Sequence, residues 1–291
     1  MASQLIGVTG ATGGLGGRVA ARLAEAGVGQ RLVARDAARA PRLPGAEVVE
    51  FAGYQDGASM RRALEGVDTL LLVSASEDPD RVGLHAIAVD SAVAAGVSRI
   101  VYTSFVNASP DATFTFARDH FHTEEHIRRA GVEHTFLRHN LYIDYIPLMC
   151  GTDGVIRGPA GDGRVALVSR DDIADVLTVT LTGHGHEGQT YDVTGAEPLT
   201  MTDAAAELSR VTRRQIRFEN ETLEEARESR RPTEAPDWEI EGWVTSYAAI
   251  AAGEMENVTE TVLELTGHEP KRVGDWLREH PEAYRHLLAT A

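Results

Sequence analysis

A short apolar run, Leu5-Ile6-Gly7-Val8, leads straight into Thr9-Gly10-Ala11-Thr12-Gly13-Gly14-Leu15-Gly16, and an apolar helical pattern follows. A buried strand, a glycine turn and a helix start, in that order, constrain the fold more than any other stretch of this chain. Glycine lets the backbone turn sharply and approach an anion closely, and the first N–H groups of a helix present its positive end. Glycines at 10, 13 and 16 have the spacing of a unit that cradles a diphosphate. Gly10, Ala11, Thr12, Gly13, Gly14, Leu15 and Gly16 are therefore expected to hold the phosphates of a dinucleotide.

The first half of the chain repeats this alternation. Arg31–Ala34, Glu47–Phe51, Thr69–Val73, Arg99–Thr103 and His134–Leu137 read as further strands, separated by helical stretches that stop at Gly27, Gly66, Gly96 and Gly131. Leu70-Leu71-Leu72-Val73 is apolar without a break, the mark of a central parallel strand covered on both faces. Six strands alternating with helices give an α/β fold, a Rossmann-type doubly wound parallel sheet. Regularity fails beyond Asn140. Residues 151–163 hold five glycines and a proline and read as loop, and helices are expected near 171–181, 203–211 and through most of 238–288. The division expected is a dinucleotide-binding domain over 1–150 and a small, mostly helical C-terminal lobe over 151–291, with sheet-completing segments near 165–195. Glu221–Glu228 reads as a solvated helix face.

Composition narrows the function. A chain of 291 residues can bury a large core, and its 44 acidic against 28 basic residues give a net charge of −16. Such a surface repels nucleic-acid backbones and anionic lipid, so neither is an expected partner. Every apolar stretch is too short to span a membrane, and no positive segment precedes the first apolar run, so no signal peptide is expected. The single cysteine, Cys150, has packing-type neighbours and fits a reducing, cytoplasmic setting. The expected form is a monomer or homodimer.

The nicotinamide cofactor is read from the end of the second strand. NAD-specific folds place an acid there to accept from the ribose 2′-hydroxyl, whereas this strand ends in Arg35, with Asp36 next. A guanidinium binds a 2′-phosphate in a bidentate manner, so NADP(H) is favoured, NAD(H) being the alternative. Asp36 reads as the start of a turn or the cap of the short helix that follows. Asp56 is a candidate for the adenine amino group, with a helix cap as its other role.

Ordinary short-chain dehydrogenases reduce carbonyls with a Tyr-x-x-x-Lys pair. Lys271 is the only lysine here, and none of the seven tyrosines stands four residues before it. The remaining motifs are Val8-Thr9-Gly10-Ala11-Thr12-Gly13, Arg35-Asp36, Leu71-Leu72-Val73-Ser74, Tyr102-Thr103-Ser104, His120-Phe121-His122-Thr123-Glu124, Leu137-Arg138-His139-Asn140-Leu141-Tyr142 and Ser169-Arg170-Asp171-Asp172-Ile173-Ala174. In their order and spacing the chain resembles the NmrA-like atypical short-chain dehydrogenases. Within them it is most similar to the NADPH:quinone oxidoreductase type 2 and triphenylmethane reductase branch. The resemblance implies hydride transfer from NADPH to a quinone or another conjugated small molecule. It also implies that Arg170 and the strand exit holding Asn140 help to bind the cofactor.

Ser74, Ser76 and Ser104, at the carboxyl ends of central strands, are expected to line the nicotinamide or substrate pocket, with Tyr142 covering it. Ser104, Tyr142 and His120 are the candidate catalytic residues. The branch also holds members that sense cofactor without catalysis, so a regulator acting through a partner protein is the alternative. A sugar-nucleotide epimerase is disfavoured by the missing pair. His122-Thr123-Glu124-Glu125-His126 matches a zinc-protease pattern, but no third ligand is apparent and no metal is expected. His120 or Glu124 is expected to reach the substrate pocket, with His126, His184 and His186 on the surface.

Overall fold

The computed structural model describes residues 4–288. The chain begins β1 (Ile6–Thr9), α1 (Gly16–Glu25), β2 (Gln30–Ala34), β3 (Ala46–Glu50), α2 (Gly57–Ala63), β4 (Thr69–Leu72) and α3 (Arg81–Ala94). It continues with β5 (Arg99–Phe105), α4 (Thr115–Arg129), β6 (Glu133–His139), α5 (Ile146–Met149), β7 (Val155–Gly158), β8 (Arg164–Val165) and α6 (Arg170–Thr182). Then come β9 (Thr190–Val193), β10 (Leu199–Thr200), α7 (Met201–Thr212), β11 (Arg217–Asn220), α8 (Leu223–Arg230), α9 (Asp237–Ala251), α10 (Thr261–Thr266) and α11 (Val273–Glu279). Among the described residues no helix is long and apolar enough to cross a membrane.

Two compact units emerge, and the chain passes repeatedly between them. One holds the residues up to Pro110, Asp119–His139 and Arg170–Asp192; the other holds Asp111–Arg118, Asn140–Ser169 and the residues from Val193 on. A single boundary at residue 150 does not describe this division, because α6 and most of β9 return to the first unit after an excursion of about thirty residues.

The first unit carries a seven-stranded parallel sheet in the order β3-β2-β1-β4-β5-β6-β9. Strand order reverses between β1 and β4, and ligands of such sheets bind in the crevice at the carboxyl ends of those two strands. Every residue of β1, β4 and β5 is buried, as expected for strands sandwiched between helices. Leu70, Leu72, Ile100, Tyr102 and Phe136 from the sheet pack with Ala88, Val89 and Ala92 of α3 in one core. Each fully buried leucine or phenylalanine contributes about 1.5–3 kcal/mol relative to exposure. Ion pairs join α1 to α6: Arg18 Nε lies 3.0 Å from Asp171 and Arg22 Nε 2.6 Å from Asp175. Burial alone would raise the Asp171 carboxyl, but Arg18 and Arg22 together hold it below the usual carboxylate range.

In the second unit, the stretch expected to be loop over 151–163 contains β7, which pairs in parallel with β11. The partner lies about sixty residues away, so no local pattern could announce the pairing. Likewise the helix over Glu221–Glu228 is more than a solvated face. Thr222 and Glu225 form a capping box, and Ala226 is buried against Ile240 and Val244 of α9. Cys150 is buried at 4% exposure, and burial pushes its thiol up, so the residue serves packing.

Candidate cofactor site

The glycine turn leaves β1 through Gly10, whose φ of +64° favours glycine, and a β-carbon there would stand 3.1 Å from Val73. Gly13 closes the turn, its N–H donating to Gly10 O at 2.8 Å. Gly16 permits α1 to pack onto β1: a β-carbon would lie 2.4 Å from Gly10 O and 2.9 Å from Thr9 O. These are three different reasons for glycine, and together they aim the start of α1 at the carboxyl end of β1.

Among the described residues no side chain caps α1, and its first turn carries no acid. By contrast α2, α7 and α8 are closed by Asp56, Thr200 and Thr222. Leading N–H groups of an uncapped helix need a partner, and an anion supplies it. Thr12, Gly13 and Gly14 are exposed, whereas Ala11 and Leu15 are buried and anchor the turn from below. Arg170, half-buried at the start of α6, brings positive charge to the turn: a β-carbon on Gly14 would be 3.4 Å from both Cδ and Nη1 of Arg170. A bare, exposed glycine turn beside a guanidinium suits a diphosphate, so the residues present fit a dinucleotide.

Arg35 follows the last residue of β2 and is exposed. The Asp36 carboxylate is turned to local backbone, accepting from Ala38 N–H at 3.0 Å as the cap of a short 3-10 helix. Asp56 is engaged in the same way, accepting from Ser59 N–H at 2.9 Å as the cap of α2. The capping role competes with the expected adenine contact.

Beyond Leu72, β4 gives way to a loop. Val73 N–H donates to Thr9 Oγ1 at 2.9 Å, and Tyr54 donates to Val73 O at 2.9 Å. Burial pushes the Tyr54 hydroxyl up to about 12, opposed in part by Thr9 and by the charge of Arg35. Ser74 N–H donates to Thr103 Oγ1 at 2.8 Å. Ser74 is half-buried and Ser76 exposed, which leaves both at the carboxyl edge of the sheet.

Other expected site residues lie elsewhere. Ser104 is fully buried, donating from Oγ to Glu124 Oε1 at 2.6 Å. Glu124, also at 0% exposure, is clamped by Arg138 through two bonds of 2.8 and 2.6 Å and meets Arg128 at 3.2 Å. A carboxylate so paired holds α4 to β6 and does not face a substrate. His120 is 4% exposed, with Nδ1 2.9 Å from Tyr102 Oη and Nε2 3.3 Å from Arg81. Burial and Arg81 hold its ring well below the ordinary histidine range. The expectation that Ser104, His120 and Glu124 reach an open pocket is therefore corrected: these polar groups are buried because each has found a partner.

His186, expected on the surface, is buried at 9% with Nδ1 2.9 Å from Tyr191 Oη. Of the zinc-protease pattern, His122 is exposed and His126 pairs with Asp90 at 2.8 Å. In the second unit, Asn140 is 1% exposed, donating its amide N–H to Met255 O and accepting at its side-chain oxygen from Leu141 N–H. That side chain shapes backbone and does not present itself to a cofactor. Tyr142 is half-buried, bridges Val168 and packs its ring 5.4 Å from Tyr145.

Two polar residues escaped the sequence reading, His85 and Arg81 of α3. They share a helix face with Ala88 and Ala92 at spacings of four, three and four, so both sit on the buried stripe. A polar residue on an apolar stripe is the signal that would have found them.

Residues 10–183 match the model of a family described as NAD(P)H-binding. A (4-alkanoyl-5-oxo-2,5-dihydrofuran-3-yl)methyl phosphate reductase of Streptomyces griseus is 38% identical over 96% of this chain and 99% of that protein. The NADPH-dependent quinone oxidoreductase QOR2 of Escherichia coli, in complex with NADPH, superposes with a TM-score of 0.86 at 30% identity, covering 94% of this chain and 99% of that one. The triphenylmethane reductase of Citrobacter sp., in complex with NADP(H), gives a TM-score of 0.83 at 30% identity over the same shares of 94% and 99%. With its open glycine turn and its reversal of strand order at β1 and β4, the chain belongs to the NAD(P)H-binding family, in which it is similar to the type 2 quinone oxidoreductase and the triphenylmethane reductase.

Proposed function

We propose that this protein is an NADPH-dependent reductase that delivers hydride to a quinone or similarly conjugated small molecule. The observation that carries the reading is the exposed, uncapped glycine turn with Arg170 beside it, in a chain that has no Tyr-x-x-x-Lys pair. With its diphosphate held at this turn, a bound NADPH would supply a hydride from its nicotinamide end. The chain's own residues then bind, orient and select. Amides at the start of α1 and the Arg170 guanidinium hold the diphosphate, Arg35 takes the ribose 2′-phosphate, and the loop bearing Ser74 and Ser76 walls the nicotinamide end.

The chemistry of the acceptor explains why no strong acid is needed. Hydride added to a quinone leaves a phenolate-type oxygen, and hydride added to an alkene conjugated with carbonyls leaves a delocalised enolate. Either anion takes its proton from water or a weak donor, so positioning and exclusion of solvent do most of the work. An isolated ketone would leave a basic alkoxide and would require an acid beside it. The relatives' names fit this class, since a quinone and an alkanoyl-oxo-dihydrofuran both delocalise the incoming electron pair.

The test is loss of NADPH absorbance with a panel of naphthoquinones, benzoquinones and acyl butenolides, set against simple ketones. Turnover of conjugated acceptors alone is the expected result. Tight cofactor binding with no turnover of any acceptor would instead support a sensing regulator.

A further inference from the structure

The loop that follows β4 is held in an unusual way. Among the described residues its backbone groups find no partner strand; side chains from four parts of the first unit hold them instead. Thr9 and Tyr54 take the N–H and C=O of Val73, and Thr103 takes the N–H of Ser74. Both peptide groups of Ala75 go to α3: its N–H donates to His85 Nε2 at 2.9 Å, and its C=O accepts from Arg81 Nε at 3.1 Å.

This geometry fixes the protons. A backbone N–H can only donate, so His85 Nε2 is an acceptor, and the ring proton sits on Nδ1, facing Thr123 Oγ1 at 2.9 Å. Thr123 donates its own hydroxyl hydrogen to Asp119 O at 2.8 Å. Arg81 can only donate as well, so His120 Nε2 accepts, and its Nδ1 proton faces Tyr102 Oη at 2.9 Å. Two buried imidazoles are thus locked neutral, each in one tautomer. Burial and the neighbouring Arg81 charge agree, holding His85 down at about 3.

We propose that His85 and Arg81 are positioning residues for hydride transfer. By gripping the two peptide groups that flank the Ala75 Cα they fix the loop that carries Ser74 and Ser76 beside the crevice between β1 and β4. The neighbourhood supports this, because Val73 packs against Gly10, the first glycine of the turn. The inference rests on the hydride-transfer reading above: the loop is the wall against which the nicotinamide is held, and His85 acts through it without touching cofactor or acceptor.

Two replacements separate this role from simple packing. His85→Gln places an amide oxygen close to the position of Nε2 and keeps an acceptor for the Ala75 N–H. His85→Met fills a similar volume and offers none. In His85→Met, amide exchange over residues 73–80 is expected to quicken by about tenfold. The kcat for NADPH oxidation by menadione is expected to fall by about tenfold or more, with the KM for menadione within about twofold. His85→Gln is expected to restore both.

Arg81→Met, which releases the C=O of the same residue, is the second variant should His85→Met not fold, and the same changes are expected of it. Wild-type kcat and exchange in the variant lacking a grip would overturn the proposal. So would a His85→Gln protein as impaired as His85→Met. If the wild-type enzyme itself oxidises no NADPH with any acceptor, the hydride-transfer reading fails first and the positioning role fails with it. Turnover by the wild type that is matched by every variant sinks the positioning role alone.

Discussion

Replacing Gly13 by alanine separates cofactor binding from folding. The backbone at Gly13 does not have a positive φ, so alanine can adopt its conformation. Its new β-carbon would lie 3.2 Å from Gly10 O, close enough that the turn must give by a few tenths of an ångström. Such crowding costs about 1 kcal/mol, and the lower entropy of the unfolded alanine chain offsets roughly 0.4–1 kcal/mol of that. Stability without cofactor should therefore change by less than about 1 kcal/mol. Binding is different, because the methyl group stands on the exposed face of the turn where a diphosphate must come close. Losing two hydrogen bonds to a charged group, at about 1.5 kcal/mol or more each, amounts to about 3 kcal/mol. That weakens the dissociation constant by roughly a hundredfold. Fluorescence titration with NADPH measures the affinity, and urea unfolding of the apoprotein measures the fold. A Gly13→Ala protein that binds NADPH within about threefold of wild type would refute the placement of the diphosphate.

Other substitutions probe the remaining parts. Arg35→Asp removes the guanidinium and installs an acceptor for a ribose hydroxyl, so the ratio of kcat/KM for NADPH over NADH should fall by about tenfold to a hundredfold; an unchanged ratio would remove Arg35 from cofactor choice. Glu124→Leu leaves the half-buried Arg138 without its partner and should destabilise by about 3 kcal/mol in urea unfolding, well above the cost of an exposed pair. His85 is depressed to about 3 in the fold, so the unfolded chain binds one more proton between its ordinary value of 6.5 and that point. Its stability contribution is complete above the ordinary value and is lost as pH falls through that window, at about 1.4 kcal/mol per pH unit. Unfolding free energy measured from pH 7 downward should accordingly fall less steeply in His85→Gln; parallel curves would show that His85 is not held neutral. Asp171 adds a further loss at lower pH, because Arg18 and Arg22 depress its carboxyl in the fold and that advantage disappears once it protonates. Asp171→Asn should flatten the acid limb.

What could be read from the residues, and what could not, divides along local against long-range physics. The glycine turn, the unbroken apolar run of β4 and the glycines that stop α1 and α3 are local signals, and each marks its element. Caps at Asp36 and Asp56 were legible as alternatives because a cap is set by the next few residues. Burial of Ser104, His120 and Glu124 was not, since it depends on Arg138 and Tyr102 arriving from neighbouring strands. Strand-end position suggested a pocket for Ser104; a partner across the helix–sheet layer, Glu124 of α4, turned it inward. The pairing of β7 with β11 was hidden for the same reason, as both strands are four residues long and lie far apart in the chain. His85 and Arg81 carry a weaker signal, the phase on α3 that they share with Ala88 and Ala92, and their partners come from other elements.

Calorimetric unfolding with and without NADPH tests the central claim most directly. If amides at the start of α1 and the Arg170 guanidinium grip the diphosphate, NADPH at about a thousand times its dissociation constant should stabilise the protein by about 4 kcal/mol. The melting temperature should rise by several degrees, and the rise should shrink sharply in Gly13→Ala. An unmoved melting temperature for the wild-type protein, with saturating NADPH and with saturating NADH alike, would contradict the account.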